Sequence, residues 1–248
     1  MDIPFIGVLL DGAHSLILGL AALLEPLAGG AAAAAAIVLV TLLVRAALIP
    51  LGVRLIRAEI NRKRMAPKIA ELQRRYKKSP ELLQRKTLEL HKEEGVSPFA
   101  GILPSLAQIP VVSLLYGVAV SATINGHPNE LLTQQLFGAP LGHSFVTALT
   151  SGDVLAALVP ATLLVVIGVV AWFTRQQALR MATPVDPTSP LAGMTGMLSW
   201  LPFISVMISA FVPLAAVLYV SVSTTWTFVE RTILRRQLPG GALNPVTA

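Results

Sequence analysis

Arg45 is the one basic residue inside an otherwise apolar run, Val40-Thr41-Leu42-Leu43-Val44-Arg45-Ala46-Ala47-Leu48-Ile49-Pro50. It lies nine positions before Arg54, where a strongly basic stretch begins, a separation of roughly 13 Å along a helix. An arginine at that depth in lipid costs several kcal/mol unless it is paired, hydrated or reaches the headgroups along its own stem. Two readings are therefore open: a snorkelling side chain, or the fixed positive charge of a water-filled cavity. Polar residues available to wall such a cavity are Gln108, Thr162, Ser205 and Ser209, with Ser221, Ser223, Thr224 and Thr225 further on. Hydroxyls in membrane helices more often join helices to one another, whereas an amide such as Gln108 needs several hydrogen bonds. Bond chemistry has no comparable support. His14, His91, His127 and His143 are scattered, and no HExxH, GxSxG or phosphate-binding loop occurs. The absence of cysteine excludes disulfides, thiolate metal sites and a cysteine-linked lipid anchor. No catalytic residue, metal or cofactor is expected.

The elements that must hold Arg45 follow from composition. The chain has 248 residues, 54% of them apolar and 13% charged, where a soluble domain carries about 25% charged residues; its mean hydropathy is +0.70. That balance excludes a soluble globular enzyme, a disordered protein and a secreted disulfide scaffold. Five stretches approach the length of about 20 residues that a spanning helix needs: 31–53, 99–120, 154–173, 195–211 and 212–230. The last two form one apolar run that Pro213 is expected to turn back, because proline breaks the backbone ladder. None of the five contains an Asp or Glu before the boundary residue Glu230, so Arg45 has no obvious acidic partner. Segment 54–98 carries 13 Lys and Arg, 174–194 carries Arg175 and Arg180, and 231–248 carries Arg231, Arg235 and Arg236. Segments 1–30 and 121–153 carry none. The excess of basic residues on cytoplasmic loops then predicts the N-terminus outside and the C-terminus in the cytoplasm. Residues 1–30 read as an interfacial helix on the outer face, since only 13 residues separate Asp11 from Glu25, roughly 20 Å against a core of about 30 Å; a sixth span is the alternative. They lack the basic start of a signal peptide.

Segment 54–98 predicts a two-helix hairpin. Ile56, Ile60, Met65, Ile69, Leu72 and Tyr76 recur at mostly three- and four-residue steps along a basic rod. Lys77-Lys78-Ser79-Pro80 makes the turn, with Ser79 as N-cap and Pro80 in the first helical turn. Leu83, Thr87 and Leu90 continue the stripe until Gly95, a helix stop, after which Ser97 and Pro98 open the next span. The hairpin is either a solvated connector that sets topology and touches anionic lipid, or a docking arm for an incoming partner. Its basic residues interleave with six glutamates and a single aromatic, Tyr76, a poor pattern for specific DNA readout.

Several of these motifs, taken in order, resemble one family. Val44-Arg45-Ala46-Ala47-Leu48-Ile49-Pro50-Leu51, Met65-Ala66-Pro67-Lys68 with Tyr76-Lys77, Glu94-Gly95-Val96-Ser97-Pro98 and Leu103-Pro104-Ser105-Leu106-Ala107-Gln108-Ile109-Pro110 are similar to the signature of YidC-type (YidC/Oxa/Alb) membrane protein insertases. The resemblance covers about 41–120 closely and the last two spans more loosely. Tyr219 is followed by Val220 where the family commonly has tryptophan, and Glu230 stands near a usual glutamine. Segment 121–153 is too short for a large outer domain, and 237–248 lacks the basic residues of a ribosome-binding tail.

The resemblance implies an all-α polytopic membrane protein of the bacterial plasma membrane. Five transmembrane helices would surround a hydrophilic groove open to the cytoplasm and to lipid, with a cytoplasmic antiparallel helical hairpin beside it. It implies an insertase and chaperone that moves short polar tails of nascent membrane proteins through the groove and releases their apolar helices into lipid, without ATP. Arg45, Gln108, Thr162, Ser205, Ser209 and Thr224 are the expected groove residues. Met65, Pro67, Lys68, Tyr76, Lys77 and Lys78 are the expected docking residues of the hairpin. Expected partners are nascent membrane proteins, with the Sec translocon, the ribosome, the signal recognition particle receptor and anionic lipids beside them. The rival reading is a small transporter or channel with Arg45 as an anion site, although no inverted repeat is visible.

Overall fold

A computed structural model describes residues 4–97, 99–180 and 196–239 of the chain. Pro98, most of the expected loop 174–194 and the end of the 231–248 tail lie outside the described residues. The described residues form nine α-helices and four two-residue strands. Helix α1 spans Pro4–Ala28 and stops at Gly29, whose φ of +51° suits a residue without a β-carbon. Helix α2, Ala32–Ala47, begins in the alanine run, where high helix propensity and small size coincide. Ala33, Ala34 and Ala36 are buried, which lets neighbouring backbones approach closely. Pro50 has no N–H for the ladder, and the chain restarts at Leu48 as α3, Ile49–Arg75, with Pro50 in its first turn. The first arm of the hairpin therefore begins at Ile49, inside the stretch read as the end of the first span.

The second arm is α4, Pro80–Glu93, closed by Gly95 at φ +64°. Ser79 stands at the N-cap position, but its side chain makes no capping bond, which corrects the expectation of a hydroxyl cap: its backbone carbonyl accepts from Leu83 N instead. Helix α5 spans Ile102–Val120. Next come two small antiparallel hairpins, β1 Thr123–Ile124 with β2 His127–Pro128, and β3 Gln135–Leu136 with β4 Ala139–Pro140. Their turns, Asn125-Gly126 and Phe137-Gly138, place both central residues at positive φ, the geometry that two-residue hairpin loops favour. Short α6, Phe145–Thr150, leads to α7, Val154–Arg180, whose Ala156 N–H donates to Asp153 Oδ1 at 3.0 Å. Helix α8, Leu201–Ser209, and helix α9, Leu214–Gln237, meet at Pro213, the N-cap residue of α9.

The core sits at the end of the bundle that carries residues 121–153. There α1, α2, α5 and the first turns of α9 pack together, with Leu214, Ala215, Ala216 and Val217 almost fully buried. The loop seals this end by hydrogen bonds. Buried Asn129 donates to the carbonyls of Val118 and Ser121, both at 2.8 Å, and accepts from Leu131 N at 3.1 Å. Leu214 and Ala215 donate their N–H groups to the His143 and Leu141 carbonyls at 2.8 and 2.9 Å. Those are first-turn donors of α9, which its own helix cannot satisfy. By length and composition two helical stretches among the described residues are long and apolar enough to cross a membrane, Gly7–Ala47 and Val154–Arg180; Ser105–Val120 and Gly196–Ser209 are shorter apolar helices.

Candidate functional site

At the other end of the bundle, where the hairpin attaches, the packing opens into a groove of about 830 Å³. One wall is the α9 row Ser223, Thr227, Arg231 and Arg235, four residues at four-residue steps and therefore on one helix face. From Ser223 to Arg235 that row runs roughly 18 Å. Helix α7 contributes Ile167, Ala171, Thr174 and Gln177, helix α8 contributes Pro202 and Ser205, and helix α3 contributes Glu59, Arg62 and Lys63. Arg45 forms the deep end.

The Arg45 guanidinium donates from Nη2 to Ser223 Oγ, and Ser223 is buried. No carboxylate forms a salt bridge with Arg45 among the described residues. Glu230 is committed elsewhere: its Oε2 accepts from Trp226 Nε1 at 3.0 Å, and Oε1 packs on Gly52, where a β-carbon would overlap it. Arg45 thus meets a neutral hydroxyl rather than a carboxylate. Nearer the mouth, Arg235 Nη2 donates to both oxygens of Glu59 at 2.7 and 2.9 Å, and Arg235 Nη1 donates to Gln177 Oε1 at 3.0 Å. Gln177 in turn donates to Thr232 Oγ1 at 3.0 Å. This network ties α3, α7 and α9 together around the opening. Five basic side chains, Arg45, Arg62, Lys63, Arg231 and Arg235, face a single acid, Glu59, so the groove is electropositive. Burial is the first cause that lowers the Lys63 pKa, opposed by the Glu59 carboxylate and reinforced by Arg235.

Of the expected groove residues, Arg45, Ser205 and Thr224 line this cavity. Gln108, Thr162 and Ser209 are not among its lining residues. Thr162 is exposed on an outer face of α7, and its hydroxyl donates to the Leu158 carbonyl at 2.8 Å. Ser209 is one turn beyond Ser205, on the part of α8 that enters the packed core, and is buried. Gln108 is half-buried on α5, one turn from Val111 and Val112, which share a separate narrow gap with Arg45. Ser223 stood among the hydroxyls available to a cavity wall but not among the expected groove residues, and Thr227, Glu59, Gln177 and Arg235 were not selected from the sequence. The four-residue repeat from Ser223 to Arg235 was the available signal.

The expected docking residues divide. Met65 is 1% exposed and, with Ile56 and Ile69, walls a second cavity of about 570 Å³ against Ala100 and Gly101. It belongs to the base of the hairpin rather than to its surface. Lys68 and Arg64 both pair with Glu94, Arg64 at 3.0 Å, clamping α3 to the end of α4. The hydrogen bond from Lys68, ahead of the charges of Lys68 and Arg64, holds the Glu94 carboxyl below the usual range. Pro67, Lys77 and Lys78 are exposed, and Tyr76 is half-buried with Arg75 5.9 Å from its ring centroid.

Helices joined by tight turns, apolar surface turned outward and a charged cavity opening at one end are the features of a polytopic helical membrane protein. The family described as 60Kd inner membrane protein matches residues 24–241, and the chain belongs to that family. It is 27% identical over 213 residues, 80% of its length, to the Streptomyces avermitilis protein named membrane protein insertase YidC, covering 50% of that relative. It is 39% identical over 107 residues to the Clostridium perfringens protein of the same name, 43% of this chain and 45% of the relative. A chloroplast inner membrane ALBINO3-like protein 2 from Chlamydomonas reinhardtii is 39% identical over 100 residues, 40% of this chain and 23% of that protein. The chain spans about half or less of the length of these curated relatives.

Proposed function

We propose that the chain is a membrane protein insertase whose substrates are small or nascent membrane proteins with short polar tails. Five spans, α2, α5, α7, α8 and α9, surround the groove, with the hairpin and the C-terminal end in the cytoplasm, α1 lying on the outer face and residues 121–153 outside. The observation that carries this reading is an arginine with no ion pair among the described residues, at the deep end of an electropositive groove. A polar tail entering that groove keeps water and hydroxyl partners over part of the membrane thickness, and an acidic tail also gains attraction to Arg45. The apolar helix that follows partitions into lipid by its own hydrophobicity. The groove ends against the buried core formed by the first turns of α9, which favours capture from one side over conduction through a channel. The exposed tip of the hairpin, Arg74, Arg75, Lys77 and Lys78, is the arm that meets the incoming chain or its ribosome; the names of the relatives support the insertase reading.

The test is reconstitution. Purified chain in liposomes is presented with a short two-span substrate, and translocation of its tail is read by protease protection. Tail protection above that of protein-free liposomes is expected. Equal protection in the two preparations refutes the insertase reading.

A further inference from the structure

Arg175 is a basic residue of α7 that the groove does not use; Thr174 and Gln177 face the groove and Arg175 does not. Its guanidinium carbon stands 4.2 Å from the ring centroid of Trp200 and 5.8 Å from that of Trp172. At 4.2 Å the guanidinium is in direct contact with the Trp200 ring, a favourable arrangement for this cation. Nε is buried and has no hydrogen-bond partner, and no carboxylate pairs with Arg175 among the described residues. The residue as a whole is half-buried, so part of its side chain reaches the surface. Around it the surface is apolar: Trp172, Phe173, Trp200, Leu201 and Ile204 are 45–53% exposed. Trp200 also stacks on Phe203 with centroids 5.2 Å apart.

Depth adds a second constraint. Arg175 is about 21 residues from Val154, roughly 32 Å along α7, close to the thickness of a hydrocarbon core of about 30 Å. A helix that starts at one membrane surface at Val154 brings Arg175 to the headgroup level of the opposite leaflet, where exposed tryptophans are at home.

We infer that Trp172, Arg175 and Trp200 form a binding site for the phosphodiester headgroup of an anionic phospholipid, with Arg175 Nη donating to phosphate oxygens and the flanking apolar residues taking the upper acyl chains. A headgroup such as phosphatidylglycerol brings no cation of its own to oppose the arginine. A soluble anion would have no use for the exposed aromatic flank. The inference rests on α7 crossing the membrane, as the proposed function requires, but not on insertion activity or on which end is cytoplasmic.

The experiment uses the full chain in phosphatidylcholine nanodiscs, symmetric in lipid so that orientation is immaterial. Phosphatidylglycerol with brominated acyl chains is titrated in, and quenching of tryptophan emission is recorded. Saturable quenching is expected for the wild type. R175Q should need about fivefold more phosphatidylglycerol for half-maximal quenching, the effect of about 1 kcal/mol for one basic residue near an anionic surface. W200L, made with Trp226→Phe so that Trp172 is the remaining emitter, keeps the charge but not the stacked ring and should weaken binding about threefold. R175K should lie closer to R175Q than to the wild type, because an ammonium lacks the planar fork. R180Q, an exposed arginine of the same helix, should titrate as the wild type does. Coincident titrations for wild type and R175Q overturn the site. So does an R180Q loss equal to that of R175Q, which would mean bulk electrostatics, or wild-type behaviour of R175K. Saturation of the emission change by inorganic phosphate in nanodiscs lacking phosphatidylglycerol would make it a free-anion site and overturn the lipid assignment. Circular dichroism and gel filtration verify that each variant is folded, and W200L tests the site independently of R175Q.

Discussion

Replacing Arg45 by alanine removes the charge at the deep end of the groove while leaving its walls in place. A space of 830 Å³ drawn out along the α9 row of about 18 Å is roughly 8 Å wide, so a substrate carboxylate near its deep end lies about 7 Å from the guanidinium. At an effective dielectric constant of about 20 to 40, between a protein surface and a wet cleft, that attraction amounts to roughly 1.2–2.4 kcal/mol. If it is realised during passage of the tail, its loss slows insertion of an acidic-tailed substrate about 7- to 60-fold. A substrate matched in every respect but carrying a neutral tail should change little. Arg45→Lys keeps a positive charge and should retain most of the activity on the acidic substrate. Both variants should fold, because Arg45 leaves behind only the Ser223 hydroxyl and no carboxylate. The assay is protease protection of the two tails in liposomes holding equal amounts of wild type, Lys and Ala forms, at low and at high salt. Equal insertion of the acidic-tailed substrate by wild type and Ala refutes the groove-charge reasoning, since a snorkelling arginine relieves a cost when it is removed.

Other predictions address the frame. Met65→Ala empties a position that is 1% exposed at the base of the hairpin and should cost about 2–5 kcal/mol; a thermal unfolding midpoint in detergent equal to that of the wild type would contradict its place in that core. Gly52→Ala forces the Glu230 carboxylate off the α3 backbone, an overpacking cost of about 1–3 kcal/mol. It should also shift Trp226 emission by breaking the 3.0 Å bond to Glu230; an unchanged spectrum and midpoint would show that the notch is not filled. The clamp through Glu94 has a pH sign. Its carboxyl is held low chiefly by the Lys68 hydrogen bond, so the contribution is complete above the ordinary glutamate value, about 4.3, and is lost as pH falls through the depressed one. Spin labels at Gln73 and Gln84 on the two arms should give a broader distance distribution once the pH falls through that depressed value, and a distribution that is unchanged at the lowest pH the fold survives would remove the clamp from the account.

Much of the frame was legible because it depends on local chemistry. Pro50, Gly95 and Pro213 break helices through their own backbone geometry, and each marks a break in the structure. The amphipathic stripe of the hairpin follows from periodicity along one helix, and the depth of Arg45 follows from counting residues to Arg54. What the sequence could not rank was the partners, because those depend on how each helix is rotated about its axis. Ser223 rather than Thr224 meets Arg45 across 178 residues of chain, and Glu59 finds Arg235 across 176. Gln108, Thr162 and Ser209 have the right polarity, yet none of them lines the groove: helix rotation leaves Thr162 exposed on α7, Ser209 is buried, and Gln108 is half-buried on α5. Met65 carries an expected docking motif but is consumed by packing at the hairpin base. Residue type and spacing along single helices thus determined which segments are helical and where charge enters the apolar region; only tertiary packing, through helix rotation and the depth at which side chains stop interlocking, decided which polar groups share one cavity.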